Sequence, residues 1–217
     1  MGIGRRQALL TISALSTAVL AAGCSRSQVR AQPVARGAVV LALGDSLTHG
    51  TGAPPEAAYP AVLEGLTGWR LVNAGVPGDT SAQALARLPV LLREHAPALV
   101  LVSIGGNDLL RRLPEVDTRG NVQRICQTAL SAGAQVMLIA VPRPTIAAAF
   151  TGSLTDHTMY GEIAEALRLP LQRQGWAEVL ADESLRSDQI HANALGYARF
   201  AQSVAATAVA TGLLARR

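Results

Sequence analysis

Lysine is absent from this chain, and all 19 of its basic residues are arginine. The absence excludes a phosphate-binding loop of the Gly-x-x-x-x-Gly-Lys type, a lysine Schiff base and a serine–lysine dyad. Aromatic residues are also few, and no run of arginine is interleaved with them, so a nucleic-acid partner is not expected. Two cysteines and four scattered histidines show no metal-ligand spacing. We therefore expect neither a metal ion nor another cofactor.

The first 24 residues have the pattern of an export signal. Arg5–Arg6 precedes an apolar stretch, Ala8–Ala22, which is short and rich in Ala and Ser for a membrane span. The stretch ends in Leu20–Cys24, which resembles a bacterial lipoprotein signal with the cysteine as the first mature residue. We expect lipidation at Cys24. Secretion after cleavage at a nearby small residue is the alternative, and both general and twin-arginine export stay open.

The remaining residues have the composition of one globular domain, predicted to span 38–213 after a tether at 25–37. Hydrophobic residues make up 49% of the chain, which is ample for a core. Without residues 1–23, the chain has 17 arginines and 15 acidic residues. The resulting net charge of +2 does not indicate a basic patch. Cys126 lies with Val122 and Ile125 on the apolar side of a predicted helix, which favours a buried, inert thiol.

Apolar runs alternate with helix-like segments along this domain. The runs are continuous rather than alternating in polarity, which is typical of parallel strands buried on both faces. The sequence therefore predicts a three-layer α/β/α sandwich around a five-stranded parallel sheet. Strands are predicted at 39–43, 70–73, 98–103, 135–141 and 178–180, and helices near 57–66, 81–95, 119–132, 158–169 and 194–210.

Residues able to do chemistry follow three of the predicted strands. Ser46 comes after the first strand, Gly78 after the second and Asn107 after the third. Parallel strands end at a common edge, where such sheets bind ligands. Farther along, Asp188 lies three residues before His191, so one turn can bring the carboxylate to the imidazole. We predict Ser46 as a nucleophile, His191 as its base and Asp188 as the group that orients the base.

Gly78 and Asn107 are candidates for binding an oxyanion, because tetrahedral intermediates need preorganised hydrogen-bond donors. Gly78 stands just before a helix whose start, Thr80–Gln83, fits a capping box. Each candidate also has a purely structural interpretation. Glycine suits a tight turn, Ser46 could cap the next segment, and His191 could be a surface residue that leads into the last helix.

Four segments taken together resemble the SGNH (GDSL-type) hydrolases, and in particular the bacterial periplasmic thioesterase/lysophospholipase/arylesterase group. These are Gly44–Leu47, Gly78–Thr80, Gly105–Asp108 and Asp188–His191. The likeness runs from Val39 to about Ala210. It implies a flavodoxin-like sandwich and a periplasmic location. By the same resemblance, Ser46 is the nucleophile, His191 and Asp188 complete the triad, and Ser46, Gly78 and Asn107 form the oxyanion hole.

Two places depart from the family pattern. Ala192 stands where proline is usual, which leaves the loop of His191 less stiff. The segment 142–160 has no close match, and we predict that it edges an aliphatic acyl pocket. Its candidate contacts with the acyl chain are Ile146, Phe150 and Met159.

We therefore expect an exported serine esterase that hydrolyses esters or thioesters of short to medium acyl chains, lysophospholipids among them. Its partners would be small-molecule or lipid ester substrates. We expect a monomer whose only membrane contact is the N-terminal lipid anchor. The alternatives are a carbohydrate O-acetylesterase of the cell envelope and a non-catalytic envelope lipoprotein that binds a ligand.

Overall fold

The computed structural model describes Met1, residues 31–143 and residues 154–216. Cys24, Ile146 and Phe150, which the sequence analysis singled out, lie outside the described residues. The strands are β1 Val39–Gly44, β2 Arg70–Gly75, β3 Leu99–Ser103, β4 Gln135–Ile139 and β5 Leu171–Gln172. The helices are α1 Ser46–His49, α2 Tyr59–Thr67, α3 Ser81–His95, α4 Gly106–Leu110, α5 Glu115–Ser131, α6 Thr158–Leu167, α7 Gly175–Ala181 and α8 Ala194–Thr211, with 3₁₀ turns at Pro55–Ala57 and Glu183–Leu185.

The strands form one sheet in the order β2-β1-β3-β4-β5, and every neighbouring pair is parallel. After β2 has formed on one side of β1, the chain crosses to the other side to form β3. The strand order therefore reverses beside β1, and the ends of β1 and β3 flank the crevice in which open sheets of this kind bind ligands. The predicted three-layer sandwich is confirmed.

Both faces of the sheet are covered, as the continuous apolar runs predicted. Val40 and Ala42 of β1 pack with α2, α7 and α8 on one face. Leu41 and Leu43, which point to the opposite side of the same strand, pack with α3, α5 and α6. Burying both faces fixes the register, since a slip by one residue would exchange the two sets of side chains.

The fifth strand was predicted in the wrong place. Residues 178–180 lie inside α7, where Trp176, Val179 and Leu180 are buried. The true fifth strand is the pair Leu171–Gln172, which bonds β4 through Ala140 N–H to the Gln172 carbonyl at 3.0 Å. A short apolar run does not distinguish a strand from a buried helical turn, and a two-residue strand containing glutamine gives no hydrophobic signal.

Part of the predicted tether is docked on the domain. The Ala31 N–H donates to the Thr211 carbonyl at 3.0 Å, and the Val34 N–H donates to the Leu213 carbonyl at 2.8 Å. Val34 is 6% exposed and packs in the core that contains α8. The packed structure thus begins by residue 31, earlier than the predicted boundary at residue 38.

Two local predictions within the helices are confirmed. Thr80 and Gln83 form the capping box that begins α3. Cys126 is fully buried on α5 beside Val122 and Ile125. No helix in the described part of the chain is both long and apolar enough to cross a membrane.

Candidate active site

The nucleophile candidate sits where β1 turns sharply into α1. Asp45 is the N-cap of this one-turn helix, and its Oδ1 accepts a hydrogen bond from the Leu47 N–H at 3.0 Å. Ser46 is the first helical residue and is half-buried at the C-terminal edge of the sheet. The cap fixes the backbone on both sides of Ser46, so its side chain is held by a rigid turn rather than by a free loop.

Ser46, His191 and Asp188 form one hydrogen-bonded chain. The Ser46 Oγ lies 3.0 Å from His191 Nε2, and His191 Nδ1 lies 2.7 Å from Asp188 Oδ2. A carboxylate only accepts, so Nδ1 carries the proton and Nε2 is left free to accept the serine proton. The three predicted residues, 145 positions apart at their widest, are thus brought together in the geometry that activates a hydroxyl.

The loop that carries His191 is shaped by its own backbone. Asp188 Oδ1 accepts from the N–H groups of Ile190 and His191, each at 2.8 Å. Arg186 and Ala192 form an antiparallel bridge that closes the loop, and Ala192 is completely buried. The stiffness that proline usually gives this loop is supplied here by the bridge and by the packing of alanine.

Gly52 allows the same loop to lie against the segment that follows α1. Its φ is +97°, and a Cβ at this position would lie 2.7 Å from the Ala192 carbonyl oxygen. Real Cβ atoms essentially never come so close to a backbone oxygen. Glycine therefore sets the spacing between the nucleophile turn and the loop of His191.

The two site carboxylates have pKa values that shift in opposite directions. Burial raises the pKa of Asp45 from 3.8 to about 6, although the Leu47 N–H and the nearby His191 oppose the shift. For Asp188, partial removal from water is the largest single effect and acts upward. Hydrogen bonds from the His191 ring and from the Ile190 and His191 N–H groups outweigh it and lower the pKa. Asp188 therefore stays ionised beside the imidazole at neutral pH.

The predicted oxyanion-binding residues meet at the neighbouring strand ends. Asn107, on α4, donates from Nδ2 to the Asp79 carbonyl at 3.0 Å and lies 3.4 Å from Asp45 Oδ2. Its side chain therefore spans from the loop of Gly78 to the turn of Ser46. Gly78 has a φ of +83°, and its N–H has no acceptor within residues 31–143 and 154–216.

The Ser46 N–H is likewise without an acceptor among the residues that the structure describes. The backbone N–H groups of Ser46 and Gly78 can bind negative charge that develops on a carbonyl oxygen. Asn107 can join them through the second hydrogen of Nδ2, whose contact with Asp45 Oδ2 is long at 3.4 Å. Sequence reasoning did not assign the buried Asp45 carboxyl or the arginine that binds Asp79. The burial of Asp45, its contact with Asn107 and the contact of Arg87 with Gly44 join segments far apart in the chain, so they appear only in the fold.

The structure gives Met159 a different place from the one predicted. Met159 is 1% exposed and belongs to the core between the sheet and α6, so it does not line an open pocket. His157 is also buried, and it caps α6 by accepting the Met159 N–H at its Nδ1. Its Nε2 lies 3.4 Å from Glu115 Oε2. Both residues follow a segment without hydrophobic periodicity, so their burial could not be predicted from the sequence.

No group of three or more His, Cys, Asp or Glu side chains within residues 31–143 and 154–216 is arranged to hold a metal ion. The hydrogen-bonded chain of Ser46, His191 and Asp188 supports proton transfer and nucleophilic attack.

The sequence model of the GDSL-like lipase/acylhydrolase family matches residues 42–199. Among individual proteins, thioesterase 1/protease 1/lysophospholipase L1 of Escherichia coli is 36% identical over 162 residues, which are 71% of this chain and 75% of that protein. The arylesterase of Vibrio mimicus is 36% identical over 110 residues, 48% of this chain and 55% of that protein.

Solved structures agree with the sequence relatives. The crystal structure of TesA superposes with a TM-score of 0.71 at 28% identity and covers 80% of this chain and 99% of its own. The SGNH-hydrolase family esterase AlinE4 gives a TM-score of 0.60 at 30% identity and covers 84% of this chain and 100% of its own.

Proposed function

Since the chain belongs to the GDSL-like lipase/acylhydrolase family and is a serine hydrolase of carboxylic esters, we propose that it works through an acyl-enzyme on Ser46. The observation that carries this proposal is the unbroken chain of hydrogen bonds from Ser46 Oγ through His191 to Asp188, at 3.0 and 2.7 Å. No other histidine of the described residues stands between a serine hydroxyl and a carboxylate in this way.

In the first half of the reaction, Ser46 Oγ bonds to the carbonyl carbon while its proton passes to His191 Nε2. The carbonyl oxygen becomes an oxyanion that accepts from the Ser46 and Gly78 N–H groups and from Asn107 Nδ2. Asp188 stabilises the imidazolium that forms. His191 then gives the proton to the leaving alcohol or thiol as its bond to the acyl carbon breaks.

In the second half, water replaces the leaving group. His191 takes one proton from the water as its oxygen attacks the acyl carbon, and the same three donors hold the second oxyanion. When the bond to Ser46 breaks, His191 returns the proton to Oγ. The products are a carboxylic acid and the original enzyme, so no cofactor is consumed.

For substrates, we propose esters and thioesters of short to medium acyl chains, with lysophospholipids included. The names of the relatives support this range, since one is called a thioesterase and lysophospholipase and another an arylesterase. The low aromatic content of the chain is consistent with an aliphatic acyl pocket.

The test is hydrolysis of p-nitrophenyl esters, from acetate to laurate, by the purified protein and by Ser46→Ala. We expect turnover that peaks at short or medium chains, and a loss of at least about a thousandfold in the variant. Activity confined to acetylated polysaccharide would favour the O-acetylesterase alternative. A folded protein without Ser46-dependent turnover on either substrate class would contradict the proposed mechanism and favour a binding role.

We also propose that the protein is exported and anchored by a lipid on Cys24. The arginine pair, the apolar stretch and the Leu20–Cys24 segment support this. Mass spectrometry of the N-terminal peptide of membrane-fraction protein should show acylated Cys24, and Cys24→Ala should move the protein to the soluble fraction. An unmodified Cys24, or an unmoved variant, would contradict the anchor without touching the catalytic proposal.

A further inference from the structure

Arg87, in the second turn of α3, makes two hydrogen bonds that end at different parts of the active site. Its Nε donates to Asp79 Oδ2 at 2.7 Å, and its Nη2 donates to the Gly44 carbonyl at 2.9 Å. The arginine side chain is 24% exposed and that of Asp79 is 9% exposed. A largely buried, two-pronged contact of this kind holds its partners more firmly than a surface ion pair does.

The two ends of this contact are the neighbours of the catalytic groups. Gly44 is the last residue of β1, two positions before Ser46. Asp79 directly follows Gly78, and the Asp79 carbonyl accepts the hydrogen bond of Asn107 Nδ2 at 3.0 Å. One guanidinium therefore joins the nucleophile strand to the loop that contains one oxyanion donor and orients another.

The helix that carries Arg87 is itself held in place. The capping box of Thr80 and Gln83 begins α3, and the N–H and Oγ of Ser81 donate to the buried Asp108 at 2.8 and 2.6 Å. A rigid helix thus presents the guanidinium to both partners. The Val76 N–H also donates to the Gly44 carbonyl at 3.1 Å, and the Asp79 N–H donates to the Val76 carbonyl at 3.1 Å, so a backbone contact joins the same two segments beside the guanidinium.

Oxyanion donors work only when they are held within about 0.5 Å of the place where the charge develops. Here the donors come from three separate segments, so their spacing depends on contacts between the segments. We propose that Arg87 is a positioning residue for the oxyanion hole: it fixes the distance between the turn of Ser46 and the loop of Gly78. The inference rests on the function proposed above.

The main experiment compares Arg87→Met, which keeps the apolar stem and removes both donors, with the wild type on the best p-nitrophenyl ester. We expect kcat to fall roughly thirtyfold while KM stays within about twofold, since the oxyanion exists only in the transition state. Arg87→Lys should recover only part of the loss, because an ammonium cannot reproduce the fork. Arg119→Met is the matched control, since Arg119 pairs with Glu162 at 3.1 Å on the surface, and its kcat should not change.

A second comparison separates positioning from general structural damage. If Arg87 acts through the oxyanion hole, its substitution in an Asn107→Ala background should cost only about threefold, because part of the hole is already lost. An equal loss in both backgrounds, or a wild-type kcat for Arg87→Met, would overturn the inference. Should Arg87→Met fail to fold, Asp79→Asn weakens the same contact from its other end and should lower kcat in the same direction.

Nuclear magnetic resonance gives a readout that needs no turnover. Arg87→Met should shift the Gly78 amide and Asn107 side-chain amide resonances, whereas Arg119→Met should leave both in place. Resonances that do not move would overturn the positioning role even if the enzyme were inactive on every ester tried. If the wild type showed no Ser46-dependent hydrolysis, the proposed function would be contradicted instead. A failure of the positioning role can therefore be distinguished from a failure of the proposed function.

Discussion

The two halves of the candidate site are built in different ways. The acid–base half lies on an exposed loop: the Asp188 side chain is 54% exposed, and it is held mainly by N–H groups of its own loop. The oxyanion half is embedded in the core. Asp45 is 4% exposed and Asp108 is 2% exposed, and each carboxyl bonds to residues that support an oxyanion donor.

Because the two halves differ in burial, substitutions in them should affect activity and stability differently. Changing the exposed loop should alter the chemistry and leave folding nearly intact, because solvent replaces most of the contacts that are lost. Changing the buried polar groups should affect both, because their partners would be left unsatisfied inside the protein. The pKa shifts of the two carboxylates also differ in cause: burial raises the pKa of Asp45, whereas hydrogen bonds from the His191 loop outweigh desolvation and lower the pKa of Asp188.

The largest effect should come from His191→Ala, in the exposed half. Without a base, Ser46 cannot lose its proton during attack, so we expect kcat to fall by about ten-thousandfold. Ester hydrolysis and urea unfolding, measured on the same preparation, check both sides of the comparison. The free energy of unfolding should stay within about 1 kcal/mol of the wild type. A large loss of stability would show that the loop supports the fold and would break the contrast.

Asp108→Ala should reverse that pattern. The substitution removes the acceptor of the Ser81 N–H and Oγ, whereas the Thr118 hydroxyl keeps the Pro114 carbonyl as an acceptor. We expect a loss of about 3 kcal/mol in the free energy of unfolding, with a lower kcat because Asn107 is the adjacent residue. Asp117→Ala, an exposed carboxylate on α5, is the control and should cost less than about 1 kcal/mol. Equal costs at the two positions would contradict a buried support for the oxyanion half.

The stability of the wild type should depend on pH differently from that of the Asp45→Asn variant. Between pH 6 and 4 the folded state holds a proton on Asp45 that the unfolded chain has released, so stability from this group rises as pH falls. Relative to Asp45→Asn, the wild type should gain about 2 kcal/mol between pH 7 and pH 4.5. Urea unfolding of both proteins across this range measures the gain. A difference that does not change with pH would mean that Asp45 titrates normally.

Asp188 should act in the other direction, since its pKa is lowered. Its contribution to stability is present above its ordinary pKa and is lost as pH falls through the lowered value. In the same urea unfolding series, the Asp188→Asn variant should therefore be less stable than the wild type at neutral pH. The difference in stability should disappear at the acid end.

The smallest effect should come from Glu183→Ala, which removes the ion pair of Glu183 and Arg186 at 3.0 Å beside the His191 loop. The Glu183 side chain is 91% exposed, and such pairs contribute less than about 1 kcal/mol. We expect kcat and stability close to those of the wild type, in the same hydrolysis and unfolding measurements. A marked loss of kcat would show that surface charges, and not the loop backbone, hold His191 in place.

Much of the fold could be predicted because burial on both faces leaves a local trace. β1, β3 and β4 are buried apolar runs, and α3 begins at its capping box. The edge strand β2, RLVNAG, is only partly buried. The fifth strand was missed because two residues with a polar side chain leave no such trace. The packing of residues 31–37 was also missed, since a Pro- and Arg-containing stretch has no hydrophobic periodicity to distinguish a docked segment from a tether.

For the site, the residue types and their order along the chain pointed to Ser46, Asp188, His191, Gly78 and Asn107. The same information was silent about the groups that hold them. Asp45, Arg87 and Asp108 contact partners 62, 43 and 27 positions away, and neither burial nor pairing at such distances is visible in the local sequence. The structure also moved Met159 from the expected pocket into the core.

The sequence by itself determined the layered architecture, the sheet edge that carries the site and the chemical groups available there, because hydrophobic periodicity and turn residues act over a few positions. Only the tertiary structure decided the distances between those groups, the burial that raises the pKa of Asp45, and the contact of Arg87 with the end of β1 and with Asp79. Such properties depend on the relative placement of segments far apart in the chain, and that placement is set by the packing of the whole core.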